Sequence, residues 1–416
     1  MAAADLMSAR ICVVTAGHLS TCPRMLKAAD ALHQDGYRVR VVSTRHVAWA
    51  WAADRSVMKT RSWAWQVVDY DRTSARVRQV TSGVRFRGAQ AIALAASPAH
   101  VPLGIGVRGY SRMHDELVSA IASKSCDFVY GGTTGALAAV AAGARRLGVS
   151  FGLDLEDFHS SEQTGRESEL AHALAERIES DVLPSASFAT ASSPMIADAY
   201  ATKYAVRPTP IHNTFSMKFA PPSDPHGPLR FYWFSQTLGP GRGLDDVIRA
   251  AGRSGIAAEL HLRARPIPAY AAHLETLQQE VAPSLELVFH DPESPDRMVE
   301  LSQGYDLGLS GEEGSVLNRR LCLGNKIFTY LAAGVPVLLS ATPAHLRLAE
   351  DLGAAAPAYA SGDVNALATL FERWDRDPTQ RCMAAQAARA AAYRRWHWEH
   401  ADDRGGLLDA FRRALG

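Results

Sequence analysis

The sequence predicts an α/β protein made of two doubly wound, Rossmann-like domains. Three observations carry this. Short apolar runs alternate with helical patterns, as in parallel sheets covered by helices on both faces. The series stops near Pro208–Asn213 and restarts. The chain of 416 residues, 47% of them hydrophobic, is long enough to fill two sizeable cores.

Taken in order, residues 11–43 read as a strand, a long loop, an amphipathic helix stopped by Gly36, and a second strand. Residues 126–132 (CDFVYGG) are a further strand, followed by an alanine-rich helix from Thr134 to Leu147. FGLDL at 151–155 is a strand leading into an acidic, histidine-bearing loop. Pro221, Pro222, Pro225 and Pro228 make a linker. A second series follows, with strands at 230–235, 258–263, 285–289, 306–310 and 336–340. Residues 46–68 stand apart, holding Trp49, Trp51, Trp63 and Trp65 among Arg55, Lys59 and Arg61. A packed aromatic cap, a sugar-stacking platform and an interfacial membrane contact are the three readings of that stretch.

The bulk numbers exclude several classes. A formal charge of +1 with 21% charged residues gives no global field to attract nucleic acid. Five scattered cysteines form no CxxC pair or metal spacing, which fits a reducing compartment and no bound metal. The N-terminal stretch lacks a basic-then-apolar signal pattern, and no run of 18 uninterrupted apolar residues occurs. A soluble, cytoplasmic protein, at most peripheral at the inner face of a membrane, is the expectation. GIGVRG (104–109) matches a dinucleotide fingerprint literally, but Pro98 and Pro102 precede it in place of an apolar strand. Asp69-Tyr70-Asp71 and the Asp154/Glu156 pair resemble an acidic metal-binding signature that belongs to a different fold, so metal is not expected.

The most informative stretch is GNKIFTYLAAGVPVLLS, residues 324–340. It reads as a short helix opening on Asn325 and Lys326, with Asn325 able to cap the first turn, a left-handed stop at Gly334, and a buried strand from Val337. A lysine at a helix N-terminus is an anion site, because dipole and ammonium act on one point. The chain holds only six lysines against 38 arginines, which adds a little weight to Lys326. A second junction lies 84 residues upstream, where an apolar strand at 231 leads into Gly239, Gly241, Arg242 and Gly243 and a helix from Leu244. Glycines allow close backbone approach and Arg242 supplies a bidentate cation at the strand's C-terminal end, where open α/β sheets bind ligands. Either junction alone is also what an ordinary βα turn looks like. Together they suggest a clamp on a diphosphate.

These features together resemble the GT-B glycosyltransferases, in particular the nucleotide-sugar enzymes of glycosyltransferase family 4. The resemblance spans nearly the whole chain, with its detailed motifs in the second half. It implies an acceptor domain over 1–210, a donor-nucleotide domain over 211–394 that starts at the hinge-like Ile211–Thr214, and a C-terminal segment, 395–416, crossing back to the first domain. It implies transfer of a sugar with retention, two domains closing on a central cleft, and no bound cofactor. The co-substrate is then a nucleotide-diphosphate sugar, UDP or GDP first among nucleotides, and the acceptor a surface glycan or lipid-linked precursor. The diphosphate would be held by Arg242, Lys326, Gly241, Gly243 and Asn325. The family's pair of glutamates eight positions apart is missing: Thr329 and Leu321 stand there, and Glu312 and Glu313 lie too far upstream to restore the spacing. Ribose recognition then differs, through Thr329 or through Glu312 or Glu313 reaching in from the loop.

On the first domain, Glu156, Asp157 and His159 follow a strand at the edge where catalytic groups are expected. His159 or Asp157 would orient or deprotonate the acceptor hydroxyl; capping of the next helix by Asp154 and Asp157 is the alternative. Gly17, His18 and Arg24 resemble the acceptor-side loop, with Gly17 permitting close approach and His18 or Arg24 meeting a phosphate. Two rivals remain: a GT-B sugar-nucleotide-binding scaffold without catalysis, and a nonhydrolysing nucleotide-sugar epimerase. A dehydrogenase is disfavoured, because Gly17 stands alone after the first strand.

Overall fold

The computed structural model describes residues 9–96, 100–133, 135–162, 166–220 and 227–416. The chain divides into two compact units. One comprises Met1–His212, Val316–Asn318 and Ala401–Gly416; the other comprises Asn213–Ser315 and Arg319–His400.

The first unit is built on a seven-stranded sheet in which every pairing is parallel. Its strands are β1 (Arg10–Thr15), β2 (Arg38–Arg45), β3 (Ala64–Asp69), β4 (Phe128–Gly132), β5 (Ser150–Leu155), β6 (Phe188–Ala191) and β7 (Thr209–Pro210), in spatial order 3-2-1-4-5-6-7. The central strands are apolar on both faces, as a sheet covered by helices on both sides requires. Gly131 and Gly132 of β4 are there for space: a Cβ on Gly131 would lie 2.7 Å from the Val14 carbonyl oxygen. Strand β3, hidden within the tryptophan-rich stretch, was not expected from sequence. GIGVRG lies inside helix Leu103–Tyr110, in keeping with its rejection as a nucleotide loop.

The C-terminal helix Gly406–Leu415 belongs to this unit. Phe411 is fully buried, with its ring 5.4 Å from Phe128 and 5.2 Å from both Tyr130 and Phe188. Arg412 pairs with Asp35 at 3.0 Å. Edge-to-face packing of this kind stabilises by about 0.5–1.5 kcal/mol per pair beyond area burial.

The second unit carries six parallel strands, β8 (Leu229–Leu238), β9 (Ala258–Pro266), β10 (Leu285–His290), β11 (Leu307–Ser310), β12 (Val337–Ser340) and β13 (Ala358–Tyr359), in order 10-9-8-11-12-13. Its core includes Phe231, Trp233, Val247, Ile248, Leu260, Leu307, Leu338 and Phe371. The strand order reverses between β1 and β4 in one sheet and between β8 and β11 in the other. These switch points are where two successive loops diverge and leave room for a ligand. Of the proline linker, Pro221, Pro222 and Pro225 lie outside the described residues, as does Thr134; the helix begins at Leu137.

Candidate functional site

In the second unit, the loops after β8 and β11 meet at the switch point. Gly241 and Gly243 both have left-handed φ, +78° and +69°. A Cβ on Gly243 would sit 2.6 Å from the Tyr359 hydroxyl and 3.2 Å from Gly311 Cα, so only glycine lets the two loops touch there. Gly311 is equally constrained, with the Arg242 carbonyl oxygen 2.8 Å from its missing Cβ. Gly239 has no such strain and meets only the flexible tip of Ile267.

This contact delivers Arg242 to Glu312, Nη1 to Oε2 at 2.5 Å. Lys326 Nζ approaches the other carboxylate oxygen at 3.8 Å and lies 5.8 Å from the ring centroid of buried Trp233. Arg319, which sequence reasoning passed over, places its guanidinium beside Gly241. Burial pushes the Glu312 carboxyl up, but Lys326, Arg242 and Arg319 outweigh it and hold it below its ordinary value. Burial lowers Lys326, with Glu312 opposing and Arg242 adding to the lowering. Arg242, Lys326 and Arg319 thus meet two carboxylates, Glu312 and the Glu313 group beside Gly241, which leaves the site with an excess of positive charge.

The Glu312 loop is pinned from behind. Ser340 Oγ donates to the Glu312 carbonyl oxygen at 2.7 Å, and His345 Nδ1 donates to the Ser340 carbonyl oxygen at 2.9 Å. Helix Asn325–Ala333 opens beside this site, but Gly324 is its N-cap; Asn325 stands one position inside and hydrogen bonds Asn213. Asn325 therefore does not cap the helix, contrary to expectation. Gly334 ends it in the left-handed conformation, as expected. Thr329 is buried and donates to the Asn325 carbonyl oxygen at 2.9 Å, turned into its own helix. Glu313 is exposed on the β11 loop, its carboxylate near Gly241.

In the first unit, the helix that follows β1, Pro23–Gln34, is tied to strand β5. Arg24 is buried and forks onto Asp154, Nε–Oδ2 at 2.7 Å and Nη2–Oδ1 at 2.5 Å, while Nη1 donates to the Ile211 carbonyl oxygen at 2.6 Å. Thr190 and Tyr130 extend the network from Asp154. Asp154 is thus a buried counterion and caps no helix. His18 is equally committed: Nδ1 lies 2.6 Å from Asp54, and Nε2 accepts from the backbone N–H groups of His46 and Val47, each at 3.1 Å. Its two nitrogens hold the loop together and leave no atom for a phosphate. A Cβ at Gly17 would meet only ordinary contacts, so the position does not demand glycine.

Glu156, Asp157 and His159 do cluster after β5. Asp157 accepts from Asn318 Nδ2 at 2.7 Å, and Asn318 Oδ1 accepts from the Phe158 backbone N–H at 2.8 Å. His159 is buried, with Nδ1 hydrogen bonded to Glu162. Burial would lower His159, but Glu162 overrides it and raises the imidazolium to about 9. Burial, aided by Asp157, pushes Glu156 up to about 7. Burial and then Glu162 raise Asp157, against its bond from Asn318. Near neutral pH the histidine is therefore the charged acid of the cluster, and Glu156 is the group poised to exchange a proton. A protonated imidazole has no lone pair for a proton, so of the two roles expected of His159 or Asp157, the charge on His159 suits orienting a hydroxyl.

No protein-family model and no curated protein matches the sequence. Solved structures do. HepE of Anabaena, in complex with UDP and glucose, superposes with a TM-score of 0.71 at 14% identity, covering 98% of this chain and 99% of that one. TarM of S. aureus, in complex with UDP, fondaparinux and α-GlcNAc-glycerol, gives 0.66 at 8% identity, covering 98% and 100%. A protein of Listeria monocytogenes assigned as a UDP-N-acetylglucosamine 2-epimerase gives 0.57 at 12%, covering 97% and 96%. The chain has the two-domain, parallel α/β fold of the GT-B glycosyltransferases.

Proposed function

We propose that this protein is a glycosyltransferase that moves a sugar from a nucleotide-diphosphate donor to a glycan or lipid-linked acceptor, with retention. The observation that carries the reading is the gathering of Arg242 and Lys326 on Glu312, with Arg319 beside Gly241, at a sheet switch point. A diphosphate supplies the missing negative charge, and such preorganised cations stabilise the charge that grows on it as the sugar–phosphate bond breaks. The HepE and TarM structures contain UDP, which makes UDP the first nucleotide to test.

In this reading the C1–oxygen bond to the diphosphate breaks, a bond from C1 to the acceptor oxygen forms, and the acceptor proton leaves. Glu156, poised near neutrality, takes that proton, while the His159 cation steadies charge nearby. Asp157 orients the pair. Arg24 and His18 act by holding the loops, a role that replaces the phosphate contacts expected of them. Glu312 leaves its cations when the diphosphate binds and becomes available to sugar or ribose hydroxyls, the place that Thr329 does not fill.

The test is thermal stabilisation by UDP, GDP, ADP, CMP and dTDP, with wild type beside Lys326→Ala. One diphosphate should stabilise the wild type and not the variant; a ligand at 100 times its Kd adds about 2.7 kcal/mol. No stabilisation by any of them would defeat the reading. The likeness to the Listeria protein favours a second reading, a nucleotide-sugar epimerase. Incubation with UDP-sugar and no acceptor separates the two: an epimerase returns a new UDP-sugar, and a transferase returns at most UDP and free sugar.

A further inference from the structure

Helix Arg76–Ala96 is 21 residues long, about 30 Å, and carries apolar side chains on both faces. Its inner face is made of small residues: Ser82, Gly83, Ala89 and Ala93 are buried, and Ala93 packs in a cluster with Val101 and Leu174. The opposite face is exposed and also apolar. Val77, Val80, Val84, Ile92 and Leu94 are 79%, 57%, 60%, 49% and 64% exposed. At 100° per residue Val77, Val80, Val84, Ala91 and Ala95 fall on one line directly opposite the buried side, with Ile92 and Leu94 at its margins. Scattered exposed valines are ordinary, but an aligned row along about five turns is a patch that a monomer in water does not need.

Charge fixes what covers it. From Arg72 to His114 the sequence contains seven arginines and no aspartate or glutamate. On this helix Arg76 and Arg87 lie along one flank of the row, and Arg78 and Arg85 along the other. Arg85 is tied to Glu116 at 2.6 Å and Asp115 at 3.5 Å, and Arg78 donates to the Asp69 carbonyl oxygen at 2.6 Å. Arg76 and Arg87 are exposed. The carboxylates just before the helix are engaged locally, Asp69 with Ser74 and Asp71 with Thr73.

An apolar row edged by arginines is the pattern of a helix lying in the plane of an anionic lipid surface: valines enter the acyl boundary and arginine stems carry guanidiniums back to the headgroups. We propose that the exposed face of helix Arg76–Ala96 docks the protein on bilayers that contain anionic phospholipid. In the tryptophan-rich stretch, two of the indoles are tied down. Trp63 and Trp65 spend their indole N–H groups on Asp30 and Ser43, each at 2.8 Å, and Trp49 is exposed to 40%. No described helix is long and apolar enough to cross a membrane, so the contact is interfacial.

The experiment is co-sedimentation of the full chain with vesicles of phosphatidylcholine alone and of phosphatidylcholine mixed with phosphatidylglycerol. Binding to the mixed vesicles, weakened by salt and absent on the neutral ones, is expected. Val80→Asp/Val84→Asp and, separately, Arg76→Glu/Arg87→Glu should each cut it by about tenfold or more. Both variants change exposed positions, and an unchanged Tm will show that they fold. Binding to neither vesicle overturns the proposal, and so does binding that survives both variants. A wild-type dimer in sedimentation equilibrium that Val80→Asp/Val84→Asp dissociates, without vesicle binding, would give the face to a second copy of the chain.

Discussion

Glu312 Oε2 stands 2.5 Å from Arg242 Nη1, and its other oxygen 3.8 Å from Lys326 Nζ, so one carboxylate occupies the cations that the sequence assigns to a diphosphate. Such a counterion stabilises the empty site and competes with an anionic ligand. Glu312→Gln should therefore do two opposite things. The empty protein loses about 1–2 kcal/mol, less than a deeply buried pair would because Arg242 is partly exposed, which is a few degrees of Tm. The stabilisation by UDP becomes larger than in wild type. Differential scanning fluorimetry with and without UDP reads both; a smaller UDP response would mean that the contact of Glu312 with donor hydroxyls outweighs its competition with the diphosphate.

Removing a cation has the opposite signature. Arg242→Ala, Lys326→Ala and Arg319→Ala should each lower kcat/KM by about one to two decades, since each charge-assisted hydrogen bond is worth roughly 1.5–3 kcal/mol. Steady-state rates with the donor found by thermal shift decide this. Near-normal activity in any one variant would remove that residue from the site.

How far the site can be read from sequence depends on which contacts are local. The junctions 239–243 and 324–334 are contiguous stretches whose glycines, cations and apolar strand follow one another, and both appear where expected. The Arg242–Glu312 pair spans 70 residues and exists because β8 and β11, distant in the chain, are neighbours in the sheet. Arg24 and Asp154 are 130 apart for the same reason, with β4 between their strands. Neither pairing has a sequence period to betray it. The acidity of Glu156 and His159 was also hidden, because it is set by burial, and burial belongs to the packed unit. The His159–Glu162 spacing, three residues apart, was the one legible hint of a charged histidine. Asn325 lost the capping position to Gly324, whose backbone takes the extended conformation of an N-cap and makes no side-chain bond to the helix.

The cluster after β5 sets a pH dependence with a definite sign. The folded-state pKa of Glu156 is raised to about 7 from an ordinary 4.5, so its contribution to stability is full below about 4.5 and is lost as pH rises through 7. His159, raised to about 9 from 6.5, contributes fully below about 6.5 and loses its contribution as pH rises through 9. Both effects make the folded chain less stable as pH climbs from 5 to 9. Glu156→Gln should raise Tm relative to wild type at pH 8 and change it little at pH 4.5. In activity, kcat/KM should rise with pH through about 7 as Glu156 ionises, and the variant should lose that limb. A limb that persists in Glu156→Gln assigns the proton transfer to another group.

Arg24 offers the sharpest separation of holding from binding. All of its described hydrogen bonds run to Asp154 and the Ile211 carbonyl oxygen, and both partners of the ion pair are buried. Arg24→Ala leaves Asp154 buried without its cation, which costs about 3–5 kcal/mol, and Arg24→Lys recovers little because an ammonium cannot fork onto both oxygens. Removing both charges together, Arg24→Met with Asp154→Asn, should restore much of the loss, since no buried charge is then left alone. Urea unfolding measures these three. If Arg24 instead meets an acceptor phosphate, the double variant regains stability but its KM for the acceptor stays raised; with a purely holding role, stability and KM recover together.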